Sequence, residues 1–142
     1  MSFGHAASRR SGIRRVEDAA PCPCGSGDTF GGCCGPVLRG GPAPTAERLM
    51  RSRYTAFFVG DADHLLASWH PRTRPEAIEI DGDLRWTGMR ILDVEAGSAD
   101  EATGIVEFRA SWTERGTQGE LHERSRFVRQ SGRWWYLDGD VG

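Results

Sequence analysis

The clearest hydrophobic periodicity in this 142-residue chain lies between residues 46 and 59. At 100° per residue, Ala46, Leu49, Met50, Tyr54 and Phe57 fall on one face, which predicts an amphipathic helix. Thr45 stands at the N-cap position, Glu47 places an acid in the first turn, and Gly60 ends the segment. Asp61 can cap a second, short helix carrying Leu65, Leu66 and Trp69, which Pro71 stops just past His70.

Beyond Pro75 the period changes from 3.6 to 2. Residues 77–81 read as a short strand or extended piece leading into the turn Asp81-Gly82-Asp83. Strands are predicted at residues 85–96, 104–114, 118–130 and 133–138, with turn signals at 97–100, 115–117 and 131–132. The last two turns are short enough for antiparallel hairpins. Two helices followed by a long antiparallel meander give an α+β domain over residues 45–142, with helices covering one face of a strongly curved sheet.

Within the third strand, alternation puts Leu121, Glu123, Ser125 and Phe127 on one face and His122, Arg124 and Arg126 on the other. The apolar ends mark the first face as the core side, so Glu123 and Ser125 point inward, where an unpaired carboxylate is costly. Arg53 falls inside the apolar stripe of the first helix, where it must reach water or meet an anion. Arg53 and Glu123 are therefore expected to meet, directly or through water, in a patch shared with Tyr54, Trp69, Ser125 and His70. Two roles fit that patch. It is either an ion pair fixing the helix on the sheet, or a ligand pocket with Arg53 as anion anchor and Glu123, His70 or Tyr54 as candidate catalytic groups. His64 is expected on an exposed helix face, and His122 beside Arg124 and Arg126 on solvated sheet surface that could take an acidic partner. The run Trp134-Trp135-Tyr136 suits core packing or a homodimer interface.

The first 44 residues have a different texture. Residues 1–20 carry almost no large apolar side chains and read as a disordered tail. Residues 40–45, GGPAPT, read as a hinge on which the preceding segment forms a flap. Between them, residues 21–39 hold all four cysteines, Cys22, Cys24, Cys33 and Cys34, in the pattern C-x-C-x(8)-C-C. With no other cysteine in the chain, the arrangements open to them are local: one metal held by four thiolates, two cramped disulfides, or free thiols. Adjacent Cys33 and Cys34 cannot easily pair, and Cys22 with Cys24 closes a strained ring. A tetrahedral zinc asks only for four soft ligands about 2.3 Å from one centre, and copper(I) or iron would accept the same set.

Composition narrows the rest. A hydrophobic share of 38% and a charged share of 27% fit a water-soluble domain, and a net charge of −2 gives no electrostatic reason to bind nucleic acid or anionic lipid. No apolar run is long enough to span a bilayer. The N-terminal SRR is followed by no apolar stretch, so an export signal is not expected, and a cytoplasmic location agrees with reduced, metal-bound cysteines. No nucleophile triad context, phosphate loop or dinucleotide fingerprint occurs, so the sequence names no reaction.

The segment CPCGSG…CC resembles the SEC-C motif, known from the tail of a preprotein translocase ATPase. The stretches LMRSRYTAFFVGDADHLLASWHP, ERSRF and WWYLDG resemble the YchJ-type bacterial SEC-C proteins, a similarity running from Cys22 to Gly139. The resemblance implies that Cys22, Cys24, Cys33 and Cys34 ligate one zinc in a knuckle that is structural and an interaction module for a protein partner. It also implies a nuclear transport factor 2-like domain, whose curved sheet and helices enclose a cone for a small-molecule ligand; isomerases and dehydratases use that fold. Family members often carry a second C-terminal knuckle, absent up to Gly142. The lysines usual between the cysteine pairs are replaced by Asp28-Thr29-Phe30-Gly31-Gly32, which removes the natural contacts for an acidic partner.

Overall fold

The computed structural model describes residues 13–142. A 3-10 turn at Phe30–Gly32 leads into helices α1 (Cys34–Leu38), α2 (Ala46–Val59) and α3 (Ala62–Ala67). Strands β1 (Leu84–Ala96), β2 (Thr103–Glu114), β3 (Thr117–Gln130) and β4 (Arg133–Val141) follow. They pair antiparallel in the order β1-β2-β3-β4, the meander expected of this α+β chain. Among the described residues no helix is long and apolar enough to cross a membrane.

The predicted caps form. Thr45 Oγ1 accepts from Arg48 N at 3.1 Å, Asp61 Oδ1 from His64 N at 3.0 Å, and Gly60 closes α2 in the left-handed conformation. Strand β2 shows strict alternation, with Val106, Phe108 and Ala110 buried. Register sets Val106 opposite Ser125 and Phe108 opposite Glu123, which carries the inward face of β2 onto β3. In β1 the register shifts twice, between Trp86 and Gly88 and between Ile91 and Asp93. Such bulges bend a strand and raise its twist, which gives the sheet its curvature.

Residues 77–81 form no strand. They run extended and unpaired, and Ile78 is buried against Ala56 and Leu65 in a second, smaller core cluster. Helix packing, not a ladder, fixes this segment.

The N-terminal segment departs from expectation in two ways. Residues 1–12 of the expected disordered tail lie outside the described residues, but residues 13–20 have defined partners. Arg14 N donates to Val59 O at 2.8 Å, satisfying a carbonyl that the end of α2 leaves open, and the Arg14 guanidinium lies 4.3 Å from the Phe58 ring centroid. Gly31 N and Phe30 N donate to Asp18 O and Ala20 O, so this stretch joins the cysteine segment to the far end of α2. The hinged flap is likewise corrected. All four cysteines, Phe30 and Val37 pack in one buried cluster with Leu49, Met50, Tyr54, Val106 and Phe108. A segment that buries its side chains in the common core does not swing.

The chain crosses itself tightly where α2 begins. Ala46 N donates to Gly97 O at 3.0 Å, and a Cβ on Gly104 would lie 2.6 Å from Gly97 Cα and 2.8 Å from Ala46 Cβ. Replacing Gly104 with alanine should therefore destabilise the fold by about 1–3 kcal/mol through overpacking. Urea unfolding of Gly104→Ala should show a lower midpoint with an unchanged slope.

Candidate metal centre and adjoining cavity

The cysteine segment is a tight loop closed by backbone bonds, with Cys22 N donating to Asp28 O at 2.9 Å and Pro21 bridged to Thr29. The two cysteine pairs thereby face each other. The four Sγ atoms lie within 4.8 Å of one another, with Cys24 to Cys33 at 3.6 Å and Cys33 to Cys34 at 3.9 Å. These separations exceed the ~2.05 Å of a disulfide, and all four cysteines are free and buried. A tetrahedron with ligands at about 2.3 Å has sulfur–sulfur edges of about 3.8 Å, so the spacing fits one four-thiolate metal ion.

The surroundings fit as well. Ser26 Oγ lies 3.2 Å from Cys33 Sγ, Thr55 Oγ1 donates to Cys34 Sγ at 3.3 Å, and Arg51 Nη1 lies 3.8 Å from Cys24 Sγ while donating to Cys24 O at 3.0 Å. Thiolate clusters need such donors to spread their charge. Hydrogen bonds from Cys22 and Cys34 hold the Cys24 thiol well below the ordinary range, and the same sharing pushes Cys22 and Cys34 up. Arg51 and Thr55 are one helical turn apart on α2 and were not singled out from the sequence; their i, i+4 spacing on a polar stripe was the available signal.

Other faces of α2 look into the domain. Arg53, Tyr54, Trp69, Glu123 and Ser125 line one cavity of about 170 Å³ between α2 and the sheet, with Met50, Phe57, Trp86, Phe108 and Tyr136 among its walls. The expected meeting of Arg53 and Glu123 takes another form. Arg53, 4% exposed, donates through Nη1 to Leu65 O at 2.8 Å and Ser68 Oγ at 2.6 Å. Its guanidinium stacks 4.3 Å from the Tyr136 ring centroid and 5.1 Å from that of Trp69. Glu123 Oε2 accepts from Ser125 Oγ at 2.7 Å and Tyr136 Oη at 3.0 Å. Tyr136 thus stands between the two charges, touching the cation with its face and the anion with its hydroxyl. Burial lowers the Arg53 pKa to about 10, with Tyr136 and Glu123 working against that fall, so the side chain remains charged at neutral pH. Sequence reasoning missed Tyr136; its alternation with Trp134 in the aromatic run marked it as inward-facing.

Two histidines sit differently from their sequence reading. His70 is outside the cavity, its Nε2 2.7 Å from Gln130 Oε1 and its Nδ1 accepting from Arg72 N, because the chain turns onto the end of β4 there. Its backbone N donates to Tyr136 O at 2.8 Å, but its ring does not line the cavity, so it leaves the set of candidate catalytic groups. His64 is not on an open face: α3 folds back on α2 and places Nε2 2.9 Å from Ser52 Oγ. Ser52 gives its own proton to Leu49 O at 2.7 Å, so Nε2 carries the hydrogen. On the outer sheet face, His122 and Glu107 are 2.6 Å apart, Arg124 pairs with Asp93, Glu95 and Glu107, and Arg126 with Asp138 and Asp140. The basic stripe read from β3 is therefore matched by acids on its neighbours and offers no surplus charge to an acidic partner.

Burial, then the nearby Arg53 and Arg133 charges, lowers the His64 pKa to about 4 from 6.5. A depressed histidine pKa means the unfolded chain binds the proton first as pH falls. The stability that neutral His64 contributes is present above pH 6.5 and should be lost progressively between about pH 6.5 and 4. Denaturant midpoints measured across that window should fall less steeply for His64→Gln than for the parent chain.

Comparison with known proteins places these features in a family. Residues 45–139 match the model of the YchJ middle NTF2-like domain, and residues 20–36 match the SEC-C motif. A UPF0225 protein of Streptomyces coelicolor is 56% identical over 121 residues, covering 84% of this chain and 94% of that protein. One from Chromobacterium violaceum is 49% identical over 132 residues, covering 89% and 97%. The solution structure of a SEC-C motif containing protein from Rhodopseudomonas palustris superposes with a TM-score of 0.74 at 33% identity, covering 85% of this chain and 98% of that one. A crystal structure of a SEC-C motif containing protein from Psychrobacter arcticus, 23% identical, shares the fold with a TM-score of 0.70 over 88% and 84%.

Proposed function

The chain belongs to the YchJ family of SEC-C motif proteins, and from that premise we propose that it is a zinc protein whose metal is structural. The observation that carries this reading is the closed set of four buried sulfurs at tetrahedral spacing, backed by Ser26, Thr55 and Arg51. Four thiolates leave no coordination position for water or substrate, which argues against catalysis at the metal. Zinc would tie the cysteine loop to α2 and supply folding energy to a segment with few large apolar side chains of its own. Reduced thiolates of this kind belong in a reducing compartment, in keeping with a cytoplasmic protein.

A second reading concerns the domain behind the knuckle. The cavity between α2 and the sheet is lined by a buried arginine, a carboxylate and Trp69, whose buried Nε1 makes no hydrogen bond among the described residues. Buried polar groups are normally satisfied. A carboxylate with one open oxygen and an orphan donor, on residues lining one cavity, support a small-molecule site.

Purified under reducing conditions, the protein should carry about one zinc equivalent per chain by elemental analysis. A content below half an equivalent of any thiophilic metal would sink the structural-metal reading. Thr55→Val keeps the volume and removes one donor to Cys34 Sγ. It should weaken zinc binding about 10–100-fold in a chelator competition while leaving the folded circular dichroism spectrum intact.

A further inference from the structure

We propose that the cavity between α2 and the sheet takes a neutral, phenol-sized molecule: one six-membered ring carrying one hydroxyl, with the hydroxyl recognised by Glu123. This rests on the reading of the cavity as a small-molecule site and names its ligand class.

Size comes first. About 170 Å³ is close to the ~150 Å³ of an apolar cavity able to hold benzene, so one ring fits and two do not. The walls favour a ring, because Phe57, Trp86, Phe108 and Tyr136 surround it with aromatic faces and edges. Phe57, Trp86 and Leu121 are only half-buried, as are Trp69, Glu123 and Tyr136, so the cavity opens toward solvent while Arg53 stays buried.

Charge comes second. Arg53 and Glu123 already offset each other through Tyr136, and a charged ligand of either sign would leave one charge uncompensated in a partly buried site. The ligand is therefore neutral.

Hydrogen-bond accounting selects the polar group. Both bonds to the Glu123 carboxylate reach Oε2, and Oε1 accepts none among the described residues. Trp69 Nε1, on another residue lining the cavity, is buried without a hydrogen bond. A hydroxyl can donate to the open Oε1, whereas a carbonyl, which only accepts, cannot.

The carboxylate is held in place for this. A Cβ on Gly139 would lie 2.2 Å from Glu123 Oε2, so the glycine at the strand position facing Ser125 provides the space the carboxylate occupies. Ser125 and Tyr136 then fix its angle.

The test is calorimetric titration of the zinc-loaded full chain at pH 7 with benzene, phenol, benzaldehyde and benzoate. Phenol should bind about tenfold or more tighter than benzene, with benzaldehyde near benzene and benzoate weakest. Glu123→Gln should cut phenol affinity about fivefold or more and leave benzene unchanged, the benzene titration reporting that the cavity is intact. If benzene and phenol bind equally, or if benzaldehyde or benzoate binds best, the carboxylate does not read a hydroxyl and the proposal falls while the cavity remains a ligand site. If none of the four binds the parent chain, the small-molecule reading itself fails. Where Glu123→Gln folds poorly, the order of affinities in the parent chain still decides between these outcomes.

Discussion

Helix α2 has almost no surface to give to water, and the rest of the structure is arranged around satisfying it. Ala46, Leu49, Met50, Ser52, Arg53, Tyr54, Thr55, Ala56 and Val59 are all buried, a distribution that no single apolar stripe produces. An amphipathic helix packs on one neighbour; this one packs on three. The cysteine loop covers Arg51 and Thr55, the sheet covers Met50 and Tyr54, and α3 covers Ser52 and Arg53. Each polar side chain placed inside must find a partner on the layer facing it, since an unpaired buried group costs about 1–3 kcal/mol. Thr55 finds a cysteine sulfur, Ser52 finds a histidine, and Arg53 finds a carbonyl, a hydroxyl and an aromatic face.

This constraint links the metal centre to the cavity. Arg51 and Thr55 address the cysteines, while Met50, Arg53, Tyr54 and Phe57, interleaved with them, wall the cavity. The two sites lie back to back on fourteen residues of one rod. Such a rod transmits displacement because packed interiors do not deform smoothly. The structural role proposed for a metal at the four cysteines would therefore extend past their loop, to the position of every cavity side chain borne by α2.

The sequence made the elements legible because the signals for them are local. Thr45 and Gly60 bracket α2, Asp61 starts α3, and the inward pair Glu123 and Ser125 follows from alternation alone. Cysteine spacing gave the metal set for the same reason. Partners were less legible, because they depend on which layers face each other. Arg53 and Glu123 both line one cavity, but the ring interposed between them comes from β4, whose register shifts between Arg126 and Phe127. His64 looked exposed on a wheel drawn for α3 alone; the fold-back at Gly60 closed that face. Low apolar content made residues 13–20 look unstructured, yet an open carbonyl at the end of α2 and backbone bonds from Phe30 and Gly31 anchor them.

The two register shifts in β1 have an effect beyond curvature. Strand β1 forms one free edge of the sheet, and its thirteen residues would otherwise present a long row of unpaired backbone groups to any other extended chain. Interrupted near Gly88 and again near Leu92, and flanked by Arg85, Arg90, Asp93 and Glu95, that edge offers no uninterrupted register for strand addition. The distortions that shape the cavity also guard the open sheet against edge-to-edge aggregation.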